Sequence, residues 1–252
     1  MPPTPFTLLT VTYNSAKPLR HHWAAGVPRG QRWIVVDNAS SDNSVSVAKD
    51  LGAEVIPLDR NVGFGRANNI GARRIDTEFV SIVNPDVTVD FSTMPYLADQ
   101  LRNNELLLAP QLAYPDGTPQ PNGRGRPSLT NKVRHRISPR QSESDGYRIV
   151  AGPDEQVEVD WLMGAAISMR MESWEKLGGF DERFFVYYED IDLGLRAAEL
   201  GIRRVVDGAI RWTHGWAREA SGFNLRGWKL EAASASKFYR KYPSLLVGTK
   251  NV

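Results

Sequence analysis

The sequence predicts an α/β fold, a mixed but mostly parallel sheet flanked by helices. Short apolar, β-branched runs alternate with segments of helical periodicity through the first half of the chain, the pattern of βαβ units. The polar residues best suited to holding a ligand, Asn14, Asp37, the Asn61–Gly65 turn and Asp86, each follow one of those runs. Open parallel sheets bind ligands there, beyond the carboxyl ends of their strands. A chain of 252 residues, 41% hydrophobic and 24% charged, is also long and apolar enough for one globular domain with a substantial core.

In chain order, FTLLTVTY (Phe6–Tyr13) is the first strand and AKPLRHHWAAG a short helix closed by Gly26. RWIVVD (Arg32–Asp37) is the second strand, followed by SDNSVSVAKDLG, a helix with Ser/Asp caps and Gly52 as its stop. AEVIPL, GRANNIGARRI and EFVSIVN continue as strand, helix and strand. That fourth strand breaks at Asn84-Pro85-Asp86, because proline removes a backbone donor and biases its neighbour toward extended geometry.

STMPYLADQLRNN is then a helix, and LLLAPQLAYPDGTPQ a strand ending in a turn at Pro115-Asp116-Gly117. From Pro121 to Gln141 the chain is basic and turn-rich and reads as a mobile loop. VEVDWLMGAAISMRM forms two strand pieces about Gly164, EDIDLGLRAAELG (Glu189–Gly201) is a helix, and IRRVVDGAIRWTH is two short strands. RGWKLEAASASKFYRKYP is a closing amphipathic helix.

Composition narrows the function. A net charge of +2 gives no global pull toward nucleic acid. With no cysteine, disulfides, thiolate metal sites and a thiol nucleophile are excluded. The N-terminus lacks the basic flank and apolar stretch of a signal peptide, and no apolar run approaches the ~18–20 residues of a membrane span. The expectation is a soluble, cytoplasmic chain.

Each candidate residue has two readings on local grounds. Asp37 suits accepting a hydrogen bond from a ribose or base edge, and equally suits a helix cap or turn. The two glycines of NVGFGRANN (Asn61–Asn69) let backbone N–H groups approach a phosphate at a helix N-terminus, or make a plain strand-to-helix connection; no Walker motif is present. Asp86 is a hard oxygen ligand of the type a divalent cation on a diphosphate uses, or a turn aspartate after proline. His214 is one of four histidines; an imidazole beside a carboxylate would favour Mn²⁺ without excluding Mg²⁺. Glu189, Asp190 and Asp192 crowd the start of a helix after FFVYY. Acids favour a helix N-terminus, and Asp192 can pair with Arg196 at i,i+4. A carboxylate beside aromatic walls is also a candidate general base, because partial desolvation raises its pKa.

Together and in this order, TVTYN, VVDNASSDNS, NVGFGRANN, NPD, WLMGAAISMRM, LGGFDERFFVYYEDIDLGLR and THGW resemble the inverting family-two glycosyltransferases of the Rossmann-like GT-A fold, most closely their rhamnosyltransferase-like branch. The resemblance implies a single glycosyltransferase domain over residues 1–216 with a C-terminal acceptor-side region. Residues 1–110 would form its nucleotide-sugar half, 111–216 its acceptor and catalytic half, and 217–252 an appended amphipathic helix. By the same resemblance Thr12, Tyr13 and Asn14 border the nucleotide and Asp37 accepts from its base. Asn61, Gly63 and Asn69 shape the diphosphate and sugar pocket. Asp86 and His214 hold a divalent cation, Mg²⁺ or Mn²⁺, Asp190 is the general base, and Trp161, Gly164 and Glu189 lie on the acceptor side. Asn84 stands where the fuller motif has its first acid and Asp86 where it has its last, so the single carboxylate needs the donor's own oxygens to complete the metal site.

The donor so implied is dTDP-β-L-rhamnose or a UDP-sugar, and the acceptor a glycan or a polyprenyl-diphosphate-linked sugar. A nucleotidyltransferase on a similar sheet would need a basic signature that TVTYNSAKP lacks. A silent nucleotide-sugar-binding protein is disfavoured by the joint presence of Asp86, Asp190 and His214. Arg124, Arg126, Lys132, Arg134, Arg136 and Arg140 form a basic cluster without acids. It reads as solvated charge or as a contact for a lipid diphosphate and anionic headgroups at the inner membrane face. The amphipathic C-terminal helix suits a second subunit as well as its own core, which leaves the oligomeric state open.

Overall fold

The computed structural model describes residues 5–137, 146–215 and 225–246. Its first strands, β1 (Phe6–Thr12), β2 (Arg32–Asp37), β3 (Glu54–Pro57) and β4 (Phe79–Val83), pair in parallel, with Thr12 beside Asp37 and Leu9 beside Ile82. Helices cover both faces, which is why β1, β2 and β4 read as unbroken apolar runs.

Alternation along each strand still sorts side chains into two layers. Phe6, Leu8, Trp33 and Val35 pack with α1 (Ala16–His22), α2 (Ser44–Asp50) and α4 (Met94–Asn103). Leu9, Val11, Ile34 and Val36 share the other layer with α3 (Phe64–Ala72). Trp23 and Trp33 stack at 4.1 Å in the first layer.

The remaining strands are β5 (Val87–Thr88), β6 (Leu106–Ala113), β7 (Gly123–Arg124), β8 (Arg148–Ile149), β9 (Gln156–Glu158), β10 (Trp161–Leu162), β11 (Ala166–Arg170) and β12 (Arg203–His214). The main sheet runs β3-β2-β1-β4-β11-β6-β12-β5, with β9 also on β12. β11 is antiparallel to both neighbours, while β12 is parallel to β6. The sheet is therefore mixed and mostly parallel, as predicted. A smaller sheet, β10-β7-β8, stands apart from it.

Three readings change. The stretch from Pro121 is not simply a loop: it supplies β7 and a helix, α5 (Leu129–Ile137). Residues 138–145 lie outside the described part of the chain. Turn-type composition hid α5, whose Lys132 N–H reaches the Ser128 carbonyl at 3.0 Å. The two strands read in IRRVVDGAIRWTH are one, β12, with its register shifted between Asp207 and Arg211. Asp207 accepts from the Ala209 N–H at 2.9 Å, so Asp-Gly makes a bulge within the strand rather than a hairpin. A helix not anticipated, α6 (Met171–Leu177), ends at Gly178 in the left-handed region. It joins α7 (Glu189–Glu199) in the second layer.

The amphipathic helix forms as expected, as α8 (Leu225–Lys241). Its Phe238 and Tyr239 pack with Trp161, Phe184, Tyr188 and Ile191 in a third cluster. Among the described residues no helix is long and apolar enough to cross a membrane.

Candidate active site

The carboxyl ends of β1 and β2 are joined by side chains. Asp37, buried at the end of β2, accepts from Thr12 Oγ1 at 3.0 Å, Ser40 Oγ at 2.6 Å and the Ser40 N–H at 2.9 Å. Asn14, in the left-handed region, accepts from the Ser41 N–H at 2.8 Å while its own N–H donates to Ser40 Oγ. Next to Asp37, the buried Asn38 donates to the Gly63 carbonyl at 3.2 Å and accepts from the Val62 N–H at 2.8 Å. It thereby fixes the Asn61–Gly63 turn.

Gly63 (φ 91°) caps α3 where the following Phe64 N–H donates to the Phe185 carbonyl at 2.8 Å. A side chain at Gly63 would lie 2.3 Å from that carbonyl oxygen, so only glycine fits. These elements enclose a cavity of ≈ 410 Å³ lined by Tyr13, Asn38, Asn61, Gly63, Phe64 and the Phe185–Tyr187 segment, with Gly227 and Leu230 of α8 at its edge.

Past the cavity the chain turns sharply. Tyr187 and Tyr188 both take positive φ, 67° and 73°, at roughly 1–2 kcal/mol each for a non-glycine residue. Strain of this kind gathers at functional sites, and here it starts α7 directly with its acids. Asp190, half-buried, accepts from the Gly164 N–H at 3.1 Å and the Ile191 N–H at 2.8 Å. Burial raises its pKa, opposed by the Gly164 N–H, the Lys132 charge and the Ile191 N–H. Glu189 is more buried, and its Oε2 has no hydrogen-bond partner. Burial, reinforced by the charge of Asp190, pushes it well above the ordinary carboxylate range.

On the β5–β12 side, His214 Nε2 lies 3.4 Å from Asp86 Oδ1, and His214 Nδ1 lies 2.7 Å from Gln120 Oε1. With Nδ1 engaged by Gln120 Oε1, Nε2 is the ring nitrogen presented to Asp86. Burial opposes the charged form of Asp86, but the His214 bond and charge outweigh it and hold the carboxyl below its ordinary range.

This donor set, one carboxylate and one imidazole oriented by a second residue, fits part of a divalent cation's shell. Among the described residues no group of three or more acidic or histidine side chains could hold a metal alone, so any remaining ligands would have to come from a bound molecule.

The glycosyl transferase family 2 profile matches residues 7–153, more than half of the chain. The chain belongs to glycosyl transferase family 2. It is 28% identical over 216 residues to the N-acetylglucosaminyl-diphospho-decaprenol L-rhamnosyltransferase of Mycobacterium tuberculosis, covering 77% of this chain and 70% of that protein. Among solved structures it is similar in fold to the Pyrobaculum calidifontis mannosyltransferase PcManGT in complex with GDP-Man and Mn²⁺. There the TM-score is 0.60 and the identity 18%, over 99% of this chain and 68% of that one. GalNAc-T7 with UDP, GalNAc and Mn²⁺ gives a TM-score of 0.61 at 13% identity, over 84% of this chain and 43% of that one. The chain thus spans less than half of GalNAc-T7, and these two likenesses establish the GT-A fold.

Within this family-two glycosyltransferase the expected residues are only partly assembled. Tyr13, Asn61 and Gly63 share the cavity, and Thr12, Asn14 and Asp37 are interlinked at the ends of β1 and β2. Asp86 meets His214, and Asp190 meets Gly164. Phe64 connects the last pair to the cavity: it lines the cavity, and its ring comes within 3.7 Å of where a Gly164 side chain would begin.

Three residues sit elsewhere. Asn69 bonds Phe180 through both its N–H and its carbonyl at 2.9 Å, outside the cavity. Trp161 is a core residue, only 7% exposed, whose indole N–H donates to the Gly125 carbonyl at 3.1 Å. Glu189 is 6% exposed, its Cβ 3.7 Å from where a Gly65 side chain would begin. Trp161 and Glu189 are thus both buried, and neither lines the cavity.

The basic cluster also divides. Arg124 is buried and donates to the Pro121 and Gly123 carbonyls, so it is unavailable to headgroups. Lys132 lies on the Tyr188 ring at 3.6 Å, while Arg126 is exposed. The side chains of Arg134 and Arg136 and the whole of Arg140 lie outside the described part of the chain.

Sequence reasoning missed Asn38 and Gln120. Asn38 stood beside Asp37 in VVDNASSDNS. Gln120 carried no motif, because its role depends on a partner distant in sequence.

Proposed function

We propose that this chain transfers a sugar from a pyrimidine-nucleotide donor, in the first instance L-rhamnose from dTDP-β-L-rhamnose, with inversion. The acceptor is a hydroxyl of a glycan or lipid-linked sugar in bacterial cell-surface polysaccharide synthesis, at the cytoplasmic face of the membrane. The observation that carries the reaction is the Asp190 carboxylate, held by the Gly164 and Ile191 N–H groups beside the Phe64 wall of the cavity. The likeness to the mycobacterial rhamnosyltransferase supports the sugar and the lipid-linked acceptor.

The cavity takes the nucleotide-sugar, with Tyr13 at its rim and the Asn61–Gly63 turn at the diphosphate. The Thr12–Asp37–Ser40 linkage holds the β1 and β2 ends that receive the base. Asp190 removes the proton from the acceptor hydroxyl as its oxygen bonds to the anomeric carbon. The anomeric C–O bond breaks and its electron pair leaves with the diphosphate. A single in-line displacement inverts that centre. Asp86 and His214 would hold a divalent cation, which when bound neutralises charge on the leaving diphosphate.

Two measurements test this. In a thermal-shift panel, dTDP and UDP should stabilise the protein more than ADP or GDP, with dTDP at least equal to UDP. A clear preference for a purine diphosphate would defeat the rhamnosyl reading. For the metal, activity should vanish with EDTA and return with Mn²⁺ or Mg²⁺. Asp86→Ala should weaken dTDP binding in Mn²⁺ and change it little without. Full activity in EDTA would make the Asp86–His214 contact purely structural.

A further inference from the structure

The Asn84-Pro85-Asp86 turn follows β4 and carries the carboxylate that meets His214. Proline leaves this turn one backbone donor short, so its geometry depends on what holds it from outside. The Asn84 N–H donates to the Ala165 carbonyl at 2.8 Å, and the Val87 N–H returns to the Asn84 carbonyl at 3.2 Å. The Asp86 carbonyl accepts from the Gly215 N–H at 2.7 Å, and Val87 pairs with His214 between β5 and β12. Asp86 and His214 thus stand on neighbouring, mutually bonded backbones.

A second grip on the turn comes from the end of α1. The buried Trp23 donates its indole N–H to the Pro85 carbonyl at 3.2 Å, while its ring stacks on Trp33 of β2. Trp33 is itself anchored, donating to Thr10 Oγ1 at 3.0 Å. His22 Nδ1 lies 2.9 Å from Thr88 Oγ1. A threonine hydroxyl can donate or accept, so this contact serves either tautomer of the ring. One helix end therefore holds the residue before Asp86 and the second residue after it.

Gly215 shows how closely the imidazole is fitted. A side chain there would begin 2.3 Å from His22 Nε2 and 3.3 Å from the Asp86 carbonyl oxygen. The His22 ring, the Gly215 backbone and the Asp86 carbonyl meet at one point, and any side chain at Gly215 would have to displace the ring. Neither His22 nor Trp23 lines the nucleotide cavity.

We propose that His22 and Trp23 are positioning residues that hold Asp86 against His214 in the geometry that takes a divalent cation. This rests on the reading of Asp86 and His214 as the cation's protein ligands. A site with two protein donors has few ligands to spare, so its affinity depends on how well those two are held in place. Outer partners that orient metal ligands are worth about 10–100-fold in metal affinity. His22 and Trp23 act only through the Asp86 turn and contact no part of the nucleotide-sugar.

The test is dTDP affinity by calorimetry, in Mn²⁺ and in EDTA, for the wild type, His22→Ala, Trp23→Phe and Asp86→Ala, with thermal unfolding of each protein. Phenylalanine keeps an aromatic ring on Trp33 and removes the N–H. The gain in affinity that Mn²⁺ confers should fall about tenfold in His22→Ala and in Trp23→Phe, with affinity in EDTA unchanged. The KM for Mn²⁺ should rise, and kcat should recover at saturating Mn²⁺. Gly215→Ala, which pushes the ring aside, should match His22→Ala and add nothing to it in the double variant. His22 is only half-buried, so His22→Ala carries the test should Trp23→Phe fail to fold. An unmoved Mn²⁺ gain, with or without a lower melting temperature, would overturn the proposal and leave a structural clamp. No Mn²⁺ gain in the wild type, or one that survives Asp86→Ala, would overturn it together with the metal reading.

Discussion

Asp190→Asn should lower sugar transfer on the order of 10²–10⁴-fold, the usual contribution of a positioned base, and leave donor affinity nearly unchanged. Asparagine matches the carboxylate in shape but cannot take the proton. Fold effects should be small but measurable. Asp190 accepts from two backbone donors, Gly164 N–H and Ile191 N–H, and asparagine has one carbonyl oxygen to offer them. One donor is left facing an NH₂ group, a loss of about 1–3 kcal/mol if it stays dry. Transfer rates, donor calorimetry and thermal unfolding on one preparation separate the two effects. Near-normal transfer would reject Asp190 and point to Glu189, since Asp192 is fully engaged elsewhere.

That engagement underlies the second large effect. Asp192 has no exposed side-chain surface, and it binds Arg196 Nε at 2.7 Å, Lys241 Nζ at 2.5 Å and the Tyr242 hydroxyl at 2.8 Å. It ties α7 to the end of α8, while Arg196 reaches on to the Leu177 and Gly179 carbonyls. Asp192→Ala takes the buried carboxylate from Arg196, while Lys241 keeps Asp181 at 2.9 Å, and should cost about 3–5 kcal/mol. For a domain of this size that is roughly a 6–20 °C fall in Tm. The half-exposed Glu158–Arg203 pair at 2.9 Å is the control, where Glu158→Ala should cost under about 1 kcal/mol. Equal losses at the two sites in urea unfolding would show that burial does not set the value of Asp192.

The contrast between Asp190 and Asp192 shows what the sequence could and could not reveal. The Asp192–Arg196 pair was legible, because i,i+4 spacing on a helix fixes proximity. Lys241 and Tyr242 were not, since only the return of α8 brings them to the same carboxylate. The same holds for the sheet. β1, β2 and β4 announced themselves by apolar runs, and the turn at Asn84-Pro85-Asp86 by its proline. In contrast, α5 was obscured by arginine, glycine and proline around it, and the Asp-Gly inside β12 read as a break because a bulge and a turn share that chemistry.

Among the candidate residues, Tyr13, Asn61, Gly63 and the Asp86–His214 pair were named by resemblance, and the structure brings the first three to one cavity and the last two into contact. Trp161 and Asn69 were misread because tryptophan and asparagine serve buried packing and loop anchoring as readily as ligands. Nothing in one dimension distinguishes those uses.

The central claim is a single displacement driven by a carboxylate base, and the stereochemistry of the product tests it most directly. Transfer from dTDP-β-L-rhamnose to a lipid-linked or soluble sugar acceptor should yield only the α-L-rhamnoside, read from the one-bond anomeric C–H coupling of the isolated product by NMR. A β-linked product would require two displacements or a different leaving-group geometry, and would contradict the account.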